Sequence, residues 1–226
     1  MFHKDSSSVY RAEALERLGW LEHGFGTRHS SLPANLTTLR QVHSDIAIRA
    51  GGRSGMIGEG DALIAETPGT LVAVKTADCL PILIADVRRR RVAAIHSGWR
   101  GAVRQIAPKT LRAMGSDPAD VLVAMGPAIG PCCYEVGPEV AIEFRELFPE
   151  RTDLDRRTKI DLGEANRRQL IAAGVPAGRI YTAALCTRCC GGEFYSWRRE
   201  RERAGRMYSW IGIRASEPAE PAQDQQ

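Results

Sequence analysis

Four apolar, β-branched runs follow one another at residues 61–65, 70–76, 81–87 and 92–96, separated only by short breaks. Runs of that length and composition suit the pleated, half-buried surface of a strand. The middle of the chain is therefore expected to be sheet. The basic stretch from Arg88 to Arg91 lies between the last two runs and reads as a solvated hairpin turn. No aromatic side chains are interleaved with it to stack bases, so no nucleic-acid partner is inferred.

Around this centre, the spacing of Ala12, Leu15 and Leu18 predicts a helix over 9–19, followed by a strand at 23–28. Val42 to Ile48 alternate with period two, which predicts a half-buried strand over 39–49, with a glycine-rich loop at 51–55. A helix is expected over 99–114, kinked by Pro108 and stopped by Gly115. A strand at 121–125 leads into a turn-rich segment, 126–131. Helices are expected at 138–147 and 163–173, and strands at 179–185 and 206–213. Residues 216–226 are too polar to bury anything and read as a disordered tail. Strands and helices mix without a strict βαβ rhythm. This favours an α/β (α+β) fold with layered mixed sheets, formed as a single catalytic domain over 1–215. No dinucleotide or Walker pattern is present.

Composition narrows the setting. The chain has 226 residues, 43% of them hydrophobic, enough for a proper core. No stretch approaches the roughly 18 apolar residues of a membrane span; the best, Leu71 to Ala85, is broken by Lys75, Asp78 and Pro81. The N-terminus lacks a signal pattern, so a cytoplasmic protein with six free thiols is expected.

Three short segments carry the chemistry: Gln41-Val42-His43, Thr76-Ala77-Asp78-Cys79-Leu80-Pro81, and His96-Ser97-Gly98-Trp99-Arg100-Gly101. They offer two imidazoles and a thiolate. Three protein ligands is the number a catalytic zinc takes when its fourth position is left for water or substrate. Taken singly, a His in a strand or a Cys among apolar residues is usually structural. As a trio, His43, Cys79 and His96 suit a zinc that lowers the pKa of a bound water to about 7. They equally suit a metal-free cysteine hydrolase or amidase, with Cys79 as nucleophile and a histidine as its base, or a copper site. Asp61 and Asp78 are candidates to orient a ligating histidine, and Arg100 to bind phosphate with its guanidinium fork. Cys132 and Cys133, with Cys186, Cys189 and Cys190, form a possible second sulfur-rich site if their two segments meet.

These motifs, together with Gly126-Pro127-Ala128-Ile129-Gly130-Pro131-Cys132-Cys133-Tyr134-Glu135-Val136 and Asp161-Leu162, resemble the bacterial YfiH family over residues 20–213. That family was long labelled multicopper polyphenol oxidase or laccase. It is now described as a zinc-dependent purine nucleoside phosphorylase with adenosine deaminase activity. The resemblance implies a mixed α/β layered fold and a metal, zinc or copper, on His43, Cys79 and His96. It further implies purine nucleosides (adenosine, inosine, methylthioadenosine) and phosphate as substrates. The His-x-Glu and Pro-Cys-x-x-Cys signature of other zinc deaminases is absent. The segment before Gln41 is shorter than the family's, and Cys189 and Cys190 interrupt the later Cys186-Thr187 to Arg199 frame.

Overall fold

The computed structural model describes residues 1–215; the expected tail, 216–226, lies outside the described residues. In chain order the strands are β1 (Phe2–Lys4), β2 (Val9–Ala12), β3 (Leu21–Gly26), β4 (Leu36–Arg40), β5 (Ala47–Arg49), β6 (Gly55–Glu59), β7 (Ala62–Ala65), β8 (Leu71–Thr76), β9 (Leu80–Asp86), β10 (Arg91–Ser97), β11 (Val121–Met125), β12 (Glu135–Val136), β13 (Thr158–Lys159), β14 (Ile180–Thr182) and β15 (Met207–Ile213). The α-helices are α1 (Glu13–Glu16), α2 (Trp99–Val103), α3 (Ile106–Met114), α4 (Pro138–Ala141), α5 (Leu162–Ala172) and α6 (Trp197–Glu200).

Two mixed sheets carry the fold, in the orders β1-β2-β3-β15-β8-β4-β6 and β14-β11-β9-β10-β7-β5. The four apolar runs become β7, β8, β9 and β10, and the arginine run turns the β9–β10 hairpin. Their composition follows from burial on both faces. Leu63, Leu83, Ala85, Val92 and Ala94 pack in one cluster with Val72, Val74 and Ile211 of the other sheet. The alternate residues Ile64, Ile82, Ile84, Ala93 and Ile95 pack with Ile106, Leu111 and Met114 of α3 and Leu170 of α5. A strand covered on both faces needs apolar residues at every position, not at every second one. The layers are thus sheet, sheet and helix.

Several local expectations change. Residues 9–12 form strand β2, because Val9 and Tyr10 pair with Gly26 and Phe25 of β3; only 13–16 are helical. The expected strand over 39–49 is broken. β4 ends at Arg40 and β5 starts at Ala47, so His43 stands in the loop between them with φ +58°. An unforeseen strand, β6, begins at Gly55. The helix expected over 99–114 divides at Arg104–Gln105, and Gln105 takes φ +61°. The Pro108 ring would clash with the Arg104 carbonyl in a continuous helix, which places the break there. Gly115, at φ +65°, ends α3. The helix expected at 138–147 is α4 followed by a 3-10 turn over Ile142–Phe144.

Candidate metal centre

Strand order explains why three segments far apart in sequence meet. β4 runs parallel to β8, so both leave the first sheet at the same end. Each then crosses to the second sheet, β4 through residues 41–46 into β5, and β8 through 77–79 into β9. His43 and Cys79 lie on these two crossings. β10 is antiparallel to β9 with Ser97 opposite Leu80 and His96 opposite Pro81, so His96 arrives beside Cys79. One nitrogen from each imidazole and the Cys79 sulfur lie within 4.8 Å of one another, a grouping able to hold a metal ion. The two rings stand edge to face, centroids 4.9 Å apart.

Asp61 organises the cluster. It is fully buried, immediately precedes β7, and faces the end of β10. One carboxylate oxygen accepts the His43 backbone N–H (3.1 Å) and His96 Nδ1 (2.8 Å). The other accepts the backbone N–H groups of Val42 (3.3 Å) and Ser44 (2.6 Å) and the Ser44 hydroxyl (2.7 Å). The ionised carboxylate has no proton to give, so His96 donates from Nδ1 and turns Nε2 toward Cys79 and His43. The same bonds hold the His43 loop in its left-handed conformation, uncommon for a non-glycine residue. Burial alone would raise the Asp61 pKa; the hydrogen bonds from His96 and Ser44 outweigh it and hold the carboxyl at about 2. Gln41 fixes the start of the loop, its amide donating to the Lys75 carbonyl and accepting the Lys75 N–H, both at 2.7 Å.

Cys79 and His96 perturb each other. Burial would raise the thiol; the positive field of His96 and hydrogen bonds from both histidines bring it down to about 6. Burial would likewise depress His96; the Cys79 thiolate and Asp61 raise it to about 9. Without a metal, a thiolate–imidazolium pair is therefore favoured at neutral pH. Gly98 makes room for the group: a Cβ there would sit 3.0 Å from Cys79 Sγ and 3.1 Å from His43 Cδ2.

Asp78 does not reach a histidine. Its carboxylate accepts the Thr187 hydroxyl and the Arg198 backbone N–H, both at 2.6 Å, tying the Cys79 crossing to the start of α6. Arg100 is exposed, stacks on Trp99, and does not line the cleft above the cluster. That cleft, about 810 Å³, is walled by Trp99, Tyr134 and Trp197 and by Arg40, Lys75, Arg198 and Arg206. Arg40 pairs with Glu59; Lys75, Arg198 and Arg206 have no carboxylate partner among the described residues. These three cations were not singled out from the sequence, because they come from β8, α6 and the approach to β15 and share no local pattern.

A family described as multi-copper polyphenol oxidoreductase laccase matches residues 25–214. The chain belongs to this family. Relatives include a purine nucleoside phosphorylase of Deinococcus radiodurans, 39% identical over 77% of this chain and 69% of that one. The purine nucleoside phosphorylase YfiH of Escherichia coli is 34% identical over 81% of this chain and 76% of its own length. A protein named adenosine deaminase RL5, from an unknown prokaryotic organism, is 39% identical over 67% of this chain and 61% of its own length. The aligned segments span 60% to 76% of these and similar curated relatives. The crystal structure of YlmD from Geobacillus stearothermophilus superposes with a TM-score of 0.85 at 28% identity, covering 94% of this chain and 98% of that one. The mixed α/β layering is thus the family's. Among the described residues no helix is long and apolar enough to cross a membrane.

Proposed function

We propose that the chain is a zinc-dependent purine nucleoside phosphorylase with adenosine deaminase activity, and that His43, Cys79 and His96 hold the metal. The observation that carries this reading is the placement of a three-ligand cluster in a cleft bearing both aromatic rings and three cations, Lys75, Arg198 and Arg206, that have no carboxylate partner among the described residues. Two neutral imidazole nitrogens and a thiolate suit zinc, and three protein ligands leave a position open. Bound there, zinc would act as a Lewis acid on a substrate oxygen or water.

The chain's own residues account for the rest. Trp99, Tyr134 and Trp197 offer faces for a purine ring. Lys75, Arg198 and Arg206 offer positive charge to a phosphate. In phosphorolysis, a phosphate oxygen bonds to the ribose C1′ as the C1′–N9 bond breaks, and the purine leaves with the electron pair and takes a proton. Burial, then the Cys79 thiolate, pushes the Tyr134 phenol well above its ordinary pKa, so it stays protonated and able to donate. Glu139 also lines the cleft and is exposed.

The Cys79–His96 pair favours one rival specifically, a metal-free hydrolase with Cys79 as nucleophile. The test is turnover of adenosine and inosine, with and without phosphate, by protein of known metal content. The proposal expects free purine and ribose 1-phosphate only with phosphate present. It expects loss of activity on chelation and better recovery with zinc than with copper. Full turnover by metal-free protein would leave the cysteine hydrolase standing; turnover restored by copper alone, with oxidation of phenols, would leave the oxidase.

A further inference from the structure

The five remaining cysteines sit apart from the cleft's base. Four of them meet: the sulfurs of Cys132, Cys133, Cys186 and Cys189 lie within 4.8 Å of one another, while Cys190 stands outside the group. We propose that these four thiolates form a second metal site, a closed tetrahedral zinc that clamps the wall of the cleft.

The backbone brings the two segments together before any metal is considered. Ala128 and Cys186 form a parallel bridge, with the Ala128 N–H donating to the Leu185 carbonyl (3.2 Å) and the Thr187 N–H to the Ala128 carbonyl (3.0 Å). Each segment then turns. The N–H groups of Cys133 and Tyr134 both reach the Gly130 carbonyl at 2.9 Å, and the Cys190 N–H reaches the Cys186 carbonyl at 2.9 Å. The second turn presents Cys186 and Cys189 at the Cys-x-x-Cys spacing of a zinc-binding turn.

Two features point to a metal ion instead of a disulfide. Zinc held at about 2.3 Å by four sulfurs sets them about 3.8 Å apart. Here Cys189 lies 3.7 Å from Cys132 and 3.4 Å from Cys133, close to that spacing and without preference for one partner. Next, the Gly130 N–H donates to the Cys186 sulfur at 3.3 Å, the kind of bond that stabilises a ligating thiolate. A Cβ on Gly130 would sit 3.3 Å from Cys186 Cβ and 3.4 Å from Cys132 Sγ, so glycine is what lets the sulfurs crowd. With all four positions filled by protein, such a zinc has no place for substrate and is structural. Its location gives it a task. Cys133 is followed by Tyr134 of the cleft, and Cys186 by Thr187, which holds Asp78 and through it the start of α6 with Arg198.

Fully reduced apo-protein titrated with Co²⁺ tests this directly. The proposal expects one equivalent with the intense visible bands of tetrahedral tetrathiolate cobalt, and Cys132, Cys133, Cys186 and Cys189 protected from alkylation until a chelator is added. Cys189→Ser should lose those bands and one equivalent of bound metal. His43→Ala should keep both, which separates this site from the three-ligand cluster. Wild-type protein lacking the tetrathiolate bands, or leaving all four thiols reactive in the presence of metal, overturns the proposal even if Cys189→Ser fails to fold. Iron in place of zinc in protein grown with both metals, or a Cys189 disulfide in protein isolated anaerobically, overturns it as well.

Discussion

Asp61→Asn removes one charge and swaps one acceptor for a donor, in a side chain of unchanged size. The carboxylate accepts five hydrogen bonds, from Val42 N, His43 N, Ser44 N, Ser44 Oγ and His96 Nδ1. An amide can satisfy the donors on one oxygen only; its NH₂ faces at least two donors on the other side. Bonds to a charged group contribute about 1.5–3 kcal/mol each, so two lost bonds cost about 3–6 kcal/mol. Proton linkage gives a second figure for the same bonds. A carboxyl shifted from 3.8 to about 2 contributes roughly 2–3 kcal/mol. The sign is fixed by the depressed pKa: the contribution is fully present above about 3.8 and is lost as pH falls toward 2. Metal binding should suffer too, since the ring of His96 and the loop of His43 lose their common anchor; such losses typically weaken affinity about 10–100-fold. Denaturant titration of the metal-free variant and competition with a chromophoric chelator measure the two effects. Asp78→Asn is the control, because its partners are Thr187 and Arg198 and no histidine; it should lose stability with less effect on metal affinity. Asp61→Asn protein with stability within about 1 kcal/mol of wild type and unchanged zinc affinity would refute the idea that this carboxylate builds the site.

Other outcomes follow from the same geometry. Cys79→Ala and His96→Ala should each remove nearly all nucleoside turnover and most metal at the cluster, while circular dichroism stays that of folded protein. Gly98→Ala should weaken metal binding in chelator competition with little change of fold, since the added methyl meets Cys79 Sγ at 3.0 Å; unchanged affinity would show that the ligands can retreat. Lys75→Ala should raise the KM for phosphate more than that for nucleoside, as read from initial rates with each substrate varied in turn. His23 is buried, its Nε2 accepts the Ala12 N–H, and burial, then Arg11, pushes its pKa down to about 3. The unfolded chain binds that proton more readily, so stability should fall between pH 6.5 and 3 by about 1.4 kcal/mol per pH unit from this group. His23→Gln should flatten that limb of the stability profile.

The amino-acid sequence by itself determined the four central strands, the β9–β10 turn and the end of α3 at Gly115. Those are set by local composition, and burial on both faces leaves little choice of residue. It also singled out His43, Cys79, His96 and Asp61, because their residue types carry a chemistry that few other side chains share. Tertiary structure decided the rest. Residues 9–12 read as helix by periodicity, yet β3 offered a strand edge and took them. The alternation through His43 read as strand, but Asp61 draws three successive backbone N–H groups of that segment onto one carboxylate and bends it into a loop. Whether Asp78 or Asp61 served a histidine, and whether Arg100 or Lys75, Arg198 and Arg206 faced the cleft, depended on strand order and side-chain direction, which no local pattern encodes. The cysteine segments 132–133 and 186–189 are more than fifty residues apart and meet where the β11–β14 pairing continues into the Ala128–Cys186 bridge. Contacts of that kind are a property of the packed sheets and the loops they carry, where hydrogen bonds between distant segments outweigh local preference.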